Sequence, residues 1–81
     1  MKGIVFPDEA KTDIRAIPQQ IAMTILAAIH RLAESGAGNV KILRGEEGEK
    51  RLRVGDFRVR FTEEGDELRI HAVRNRKDAY R

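Results

Sequence analysis

The stretch "RLRVGDFRVRF", residues 51–61, constrains the fold more than any other part of the chain. Apolar residues and arginines alternate on both sides of Gly55-Asp56. Strict alternation is the period of a half-buried strand. Gly-Asp is a recognised two-residue hairpin loop, with glycine at the first position of a type II′ turn. The two runs therefore pair Val54 with Phe57, Arg53 with Arg58, Leu52 with Val59 and Arg51 with Arg60. "TEEGDE" reads as a second turn and "LRIHAV" as a third alternating strand. Extending the register through that turn pairs Phe61 with Leu68, Val59 with Ile70 and Phe57 with Ala72. It sets Arg60 opposite Arg69 and Arg58 opposite His71. Leu52, Val54, Phe57, Val59, Phe61, Leu68, Ile70 and Ala72 then share one face. Arg51, Arg53, Arg58, Arg60, Arg69 and His71 share the other.

An apolar sheet face needs a cover, and the N-terminal half supplies one. "KGIVF" reads as a first strand stopped by Pro7. Asp8 and Glu9 suit a helix N-terminus, and Ala10, Ile14 and Ile17 follow at helical spacing, which predicts a helix from about 8 to 16. Pro18 disfavours helical geometry at Ile17 and can open a second helix. There Ile21, Ile25, Ala28, Ile29 and Leu32 form a stripe, closed by Gly36 or Gly38. "VKIL" is a possible short extended segment, and "RGEEGEK" a polar loop. The expected fold is α+β, in the order β-α-α-β-β-β. Two N-terminal helices pack on one face of a small antiparallel sheet, as a single domain over residues 1–81. At 81 residues and without cysteine, such a domain buries roughly 60–65% of its unfolded surface and is only marginally stable alone.

The charge is divided unevenly. Residues 1–49 carry six Lys/Arg against seven Asp/Glu, and residues 50–81 carry ten against six, so −1 and +4 sum to +3. A basic C-terminal third points to a polyanion or an acidic protein partner. Like charges opposite each other in a sheet repel by a few tenths to ~1 kcal/mol per pair, and the acids are expected in the turns. Arginine suits forked contacts to phosphate. Charged strands also discourage edge-to-edge aggregation, a purely structural use of the same residues.

The tail "VRNRKDAYR" adds Arg74, Arg76, Lys77 and Arg81 around Tyr80, which can stack on a base or pack on the sheet. His71, among arginines, is a candidate proton acceptor near neutral pH. His30 reads as a solvent-facing helix residue. Two isolated histidines give no metal-ligand spacing, and no phosphate-cradling or nucleophile motif is present, so neither metal nor cofactor is expected. "IAMTILAAI" is far short of the ~20 residues that span a bilayer, and no targeting segment is evident. The chain reads as a soluble cytoplasmic protein.

With "AKTDIRAIP", "GAGNVKILRG", "RLRVGDFRV" and "RKDAY" in this order, the sequence resembles the RelE/ParE family of type II toxins along nearly its whole length. The resemblance implies two helices on an antiparallel sheet and a cognate antitoxin that wraps the toxin. It implies either a ribosome-dependent endoribonuclease that cuts mRNA (an mRNA interferase that inhibits translation) or a ParE-like toxin that binds DNA gyrase without nuclease activity. By position, Arg58 and Arg76 match arginines at the scissile phosphate and Tyr80 a tyrosine near the reacting nucleotide. Arg51 and Arg53 approximately match basic residues of the preceding strand. RelE-like members often carry lysines there, whereas arginine does not deprotonate in proteins. The base would then be His71, Lys77, Lys50 or Tyr80, or the ribosome would supply it, and His71 is the preferred candidate. Arg60, Arg69, Arg74 and Lys77 complete the expected RNA-binding set.

Overall fold

Two Gly-Asp pairs shape the sheet. The computed structural model describes residues 2–42 and 49–79, the last two by their backbone. In chain order it contains β1 (Gly3–Val5), α1 (Asp8–Arg15), α2 (Gln19–Ser35), β2 (Asn39–Ile42), β3 (Glu49–Val54), β4 (Phe57–Glu64), β5 (Glu67–Asn75) and the single turn α3 (Arg76–Ala79). Gly55 and Gly65 both take positive φ, 58° and 59°, at the first position of a two-residue loop. A side chain there would be strained, whereas glycine is not.

The β3–β4 register is the expected one, from Val54 opposite Phe57 to Arg51 opposite Arg60. The β4–β5 register is not. Gly65-Asp66 makes a turn as tight as Gly55-Asp56, so Glu64 pairs with Glu67 and Phe61 with Ile70 instead of Leu68. β4 runs three residues further towards the turn than expected, to Glu64, and β5 begins one residue earlier, at Glu67. A second departure follows at Arg60/Phe61, where the ladder shifts. Arg60 lies opposite Ala72, Arg58 opposite Arg74 and Val59 opposite Val73, so His71 is the extra residue of a β-bulge. A one-residue shift exchanges the faces of everything beyond it. Val73 therefore enters the core in place of Ala72, and Arg74 joins the arginines.

The sheet order is β1-β5-β4-β3-β2. β2 to β5 form an antiparallel meander, and β1 adds to β5 in parallel, so the sheet is mostly rather than wholly antiparallel. "VKIL" contributes an edge strand, β2. Of the expected loop "RGEEGEK", Glu49 and Lys50 belong to β3, and the remainder lies outside the described residues.

Both helices cover one face. Pro7 and Pro18 precede α1 and α2, and Gly36, at φ 75°, closes α2 by donating its N–H to the Leu32 carbonyl. The buried seam of α2 runs through Ala22, Ile25, Ile29, Leu32 and Ala33. Ile21, expected on that seam, is 42% exposed, and the neighbouring Ala22 is buried in its place. Ile25, Ile29 and Ala10 meet Leu52, Val59, Phe61, Leu68, Ile70 and Val73 in one core.

One ionic cluster closes the end of this face. Glu63 accepts from Lys2 Nζ at 2.5 Å and from Lys50 Nζ at 3.1 Å, joining the N-terminal segment, β3 and β4. The hydrogen bond from Lys2, then that from Lys50, holds the Glu63 carboxyl below its ordinary value of 4.5. A depressed folded-state value means a contribution present above the unfolded value and lost as pH falls through the folded one. The wild-type minus Glu63→Gln difference in melting temperature should therefore be positive at pH 7, begin to shrink below about 4.5, and vanish once pH has fallen through the lower folded-state value. Partly exposed pairs contribute ~0–1 kcal/mol, so the shift should be a few degrees. A difference that stays constant down to pH 3 would rule out this source.

Candidate functional site

The side of the sheet away from the helices is built from the outward-pointing residues of four strands. Register places Asn39, Arg53, Arg58 and Arg74 in one row across β2, β3, β4 and β5. The adjacent row holds Lys41, Arg51, Arg60 and Ala72. Beyond it stand Glu49, Thr62 and Arg69. Arg51, Arg53, Arg58, Arg60, Arg69 and His71 thus gather on one face as expected. The bulge adds Arg74.

Cross-strand neighbours of like charge repel, and the fold relieves this at its margins. Glu49, largely buried, pairs with the Arg60 guanidinium. Arg69 Nε meets Glu64 at 3.2 Å, with Glu67 3.9 Å from another nitrogen of the same group. Arg74 Nε lies 3.7 Å from Asp13 of α1, whose carboxylate also accepts the Val73 N–H at 3.0 Å. Glu63, Glu64 and Glu67 are strand residues, not turn residues as expected, because the second turn is so short. In the centre, Arg51 and Arg53 have no carboxylate partner among the described residues. The uncompensated charge therefore lies around Arg51 and Arg53, beside Arg58.

His71 stands next to these rows. The bulge leaves it without a cross-strand partner, and its Nε2 lies 2.9 Å from Thr62 Oγ1. Arg76 is placed differently from Arg58. It begins α3 beyond the end of β5, its N–H donating to the Asp56 carbonyl at 2.6 Å. Arg74, rather than Arg76, is the cross-strand neighbour of Arg58. Lys77 follows on α3 and is exposed, its N–H donating to the Asn75 side chain at 3.0 Å. Tyr80 and Arg81 lie outside the described residues. His30 is exposed on α2. No group of three or more His, Asp or Glu side chains among the described residues could hold a metal ion. No helix among them is long and apolar enough to cross a membrane.

Sequence reasoning missed Glu49, Thr62 and Asp13. Glu49 stands two residues before Arg51, and Thr62 two after Arg60, so alternation alone could have put both on the arginine face. Asp13 carries no such signal, since its contact joins a helix to a strand sixty residues later.

Helices on one side and a cationic sheet face on the other define a small α+β domain. The sequence model of the family described as the ParE toxin of the type II toxin-antitoxin system parDE matches residues 4–80, and the chain belongs to this family of RelE/ParE-type toxins. No curated protein sequence gives a significant match. Among solved structures, the chain is similar to one in the RelB-RelE antitoxin-toxin complex from Methanococcus jannaschii, at 24% identity and TM-score 0.80, covering 94% of each chain. It is also similar to one in the archaeal RelE-RelB complex from Pyrococcus horikoshii, at 17% identity and TM-score 0.78, covering 93% of this chain and 94% of that one. A third match, in the RelBE2 toxin-antitoxin complex from Mycobacterium tuberculosis, has 19% identity and TM-score 0.75, covering 91% and 96%. At these identities the likeness is one of fold.

Proposed function

We propose that this toxin is a ribosome-dependent mRNA endonuclease whose working surface is the arginine face. The observation that carries the reading is the cross-strand row Arg53, Arg58 and Arg74 with Arg51 alongside, on the side that the helices leave bare. In RNA cleavage the 2′-oxygen attacks the adjacent phosphorus, the bond to the 5′-oxygen breaks, and a cyclic phosphate remains. This requires alignment, an acceptor for the 2′-hydroxyl proton, and positive charge where the phosphorane forms. Arg51, Arg53, Arg58 and Arg74 supply the charge on a preformed sheet, and Arg76 and Lys77 extend it past the strand end. His71 is the proton acceptor in this scheme, and the proton it gains returns to the leaving 5′-oxygen. Tyr80 is assigned by resemblance to the reacting nucleotide. Arg60 and Arg69, each held by carboxylates, serve as outlying RNA contacts.

The same surface suits an antitoxin. The three structural neighbours above come from toxin-antitoxin complexes. A cognate antitoxin that lays carboxylates across Arg51 and Arg53 would screen their repulsion and stabilise the toxin through linkage.

The family description favours a second reading, a ParE-like inhibitor of DNA gyrase that binds without cutting. Induced expression separates the two. Codon-linked 5′ ends on translated messages, with DNA supercoiling unchanged, are the expected result. Loss of supercoiling with intact messages would replace the first reading by the second.

A further inference from the structure

The bulge and the hydroxyl beside it have a consequence for proton transfer. Bulges re-aim a side chain by taking one residue out of the pleat, and here that residue is His71. Thr62, next along β4 after Arg58 and Arg60, meets its Nε2 at 2.9 Å. The register sets charged groups near the pair: Glu49 on β3 and Arg69 on β5 lie opposite Thr62, and Arg60 lies opposite Ala72 beside the bulge. Asp13 from α1 meets β5 at the Val73 N–H and Arg74. Among the described residues, Glu49 pairs with Arg60, Glu64 with Arg69 and Asp13 with Arg74. The imidazole itself meets a neutral hydroxyl.

A carboxylate in that place would favour the imidazolium and oppose release of its proton. A hydroxyl can accept as well as donate. Once His71 has taken a proton, both ring nitrogens are donors, so Nε2–H must point at Thr62 Oγ1. The tautomer that already donates from Nε2 is the one that takes up a proton without breaking this contact. It leaves the Nδ1 lone pair as the acceptor. The β-branched threonine restricts χ1 and so holds its oxygen in one place.

Resting on the endonuclease reading, we infer that Thr62 is a positioning residue that fixes the His71 tautomer. It holds Nε2 as donor and leaves Nδ1 to receive the 2′-hydroxyl proton of the RNA. The step is balanced: the proton moves from the 2′-oxygen to Nδ1, and the 5′-oxygen regains one as it leaves.

The test uses the full chain as wild type, Thr62→Val and Thr62→Ser, with melting curves to show that each folds. Valine keeps the shape and strand preference of threonine but has no hydroxyl. Long-range proton-nitrogen NMR of the imidazole reports the tautomer, and the pH profile of cleavage of ribosome-bound mRNA reports the proton acceptor. The expected result is an Nε2–H tautomer in wild type and in Thr62→Ser. Thr62→Val should show mixed tautomers, a displaced acidic limb and a rate about 10-fold lower, with serine restoring most of it. An active wild type in the Nδ1–H tautomer, or a Thr62→Val variant with unchanged tautomer and acidic limb, overturns the inference and leaves the endonuclease reading intact. A folded wild type that cuts no ribosome-bound RNA overturns both.

Discussion

If the toxin is an mRNA endonuclease as proposed, Arg58→Ala should cost the protein its RNA-cutting activity without costing it its fold. Arg58 is the middle of the row, with Arg53 on one side and Arg74 on the other. On the endonuclease reading, a phosphate seated on Arg58 has Arg53 and Arg74 as its cross-strand neighbours. Removing a group aimed at developing charge lowers rates by about 10²- to 10³-fold, and this is the drop expected in cleavage of translated messages. Arg58→Lys should fall between, because lysine keeps the charge but not the planar fork. The measurement is cleavage per folded molecule, with a melting curve for each variant. Persistence of wild-type cleavage in Arg58→Ala would remove the row from the mechanism. In the double variant with Arg74→Ala the losses should not add, since neighbours that share a ligand are coupled. Arg76→Ala offers a contrast within the same tail. Starting a helix past the end of β5, Arg76 should matter less than Arg74.

Phe61→Ala should do the opposite, removing the fold and the activity with it. Phe61 is fully buried beside the bulge, paired with Ile70 and packed in the core that the helices cover. Deleting a core phenylalanine costs about 3–5 kcal/mol. A domain of 81 residues has roughly 4–12 kcal/mol in total. The expected result is a melting temperature lowered by more than about 12 °C, or no cooperative transition at all. Phe61→Leu, which keeps most of the volume, should recover much of the loss. A small shift in Phe61→Ala would mean that the cavity collapses and that the β4–β5 register does not depend on this ring. The two substitutions stand three residues apart, yet one should act on chemistry and the other on stability, because they point to opposite sides of the same strand.

Much of this could be read from residues close together in the chain. Alternation over 51–61 with Gly55-Asp56 in the middle is enough for the β3–β4 hairpin, its register and its arginine side. The prolines at 7 and 18 and Gly36 bound the helices, and Ile25, Ile29 and Leu32 mark the buried stripe. The rule that explained Gly55-Asp56 also holds for Gly65-Asp66. A longer second turn was expected because Glu63, Glu64 and Glu67 look like loop residues, although they pair across the strand ends. Of the site, the arginines on β3 and β4 were legible. Arg74 was visible as a charge but not as a neighbour of Arg58.

Signals within a few residues of one another dictated the hairpins, the helices and the grouping of arginines on strands, because turn conformations and side-chain periods are local properties of the backbone. Packing alone settled the bulge at His71, the parallel seat of β1, the capture of Arg60 by Glu49, and the approach of Asp13 to β5. Ala72 and Val73 are both apolar, so the pattern "HAV" is silent on which of them turns inward. The choice falls to volume: valine fills the space against Val59 and the helices, alanine fits the other side, and Arg74 is carried onto the arginine face as a result.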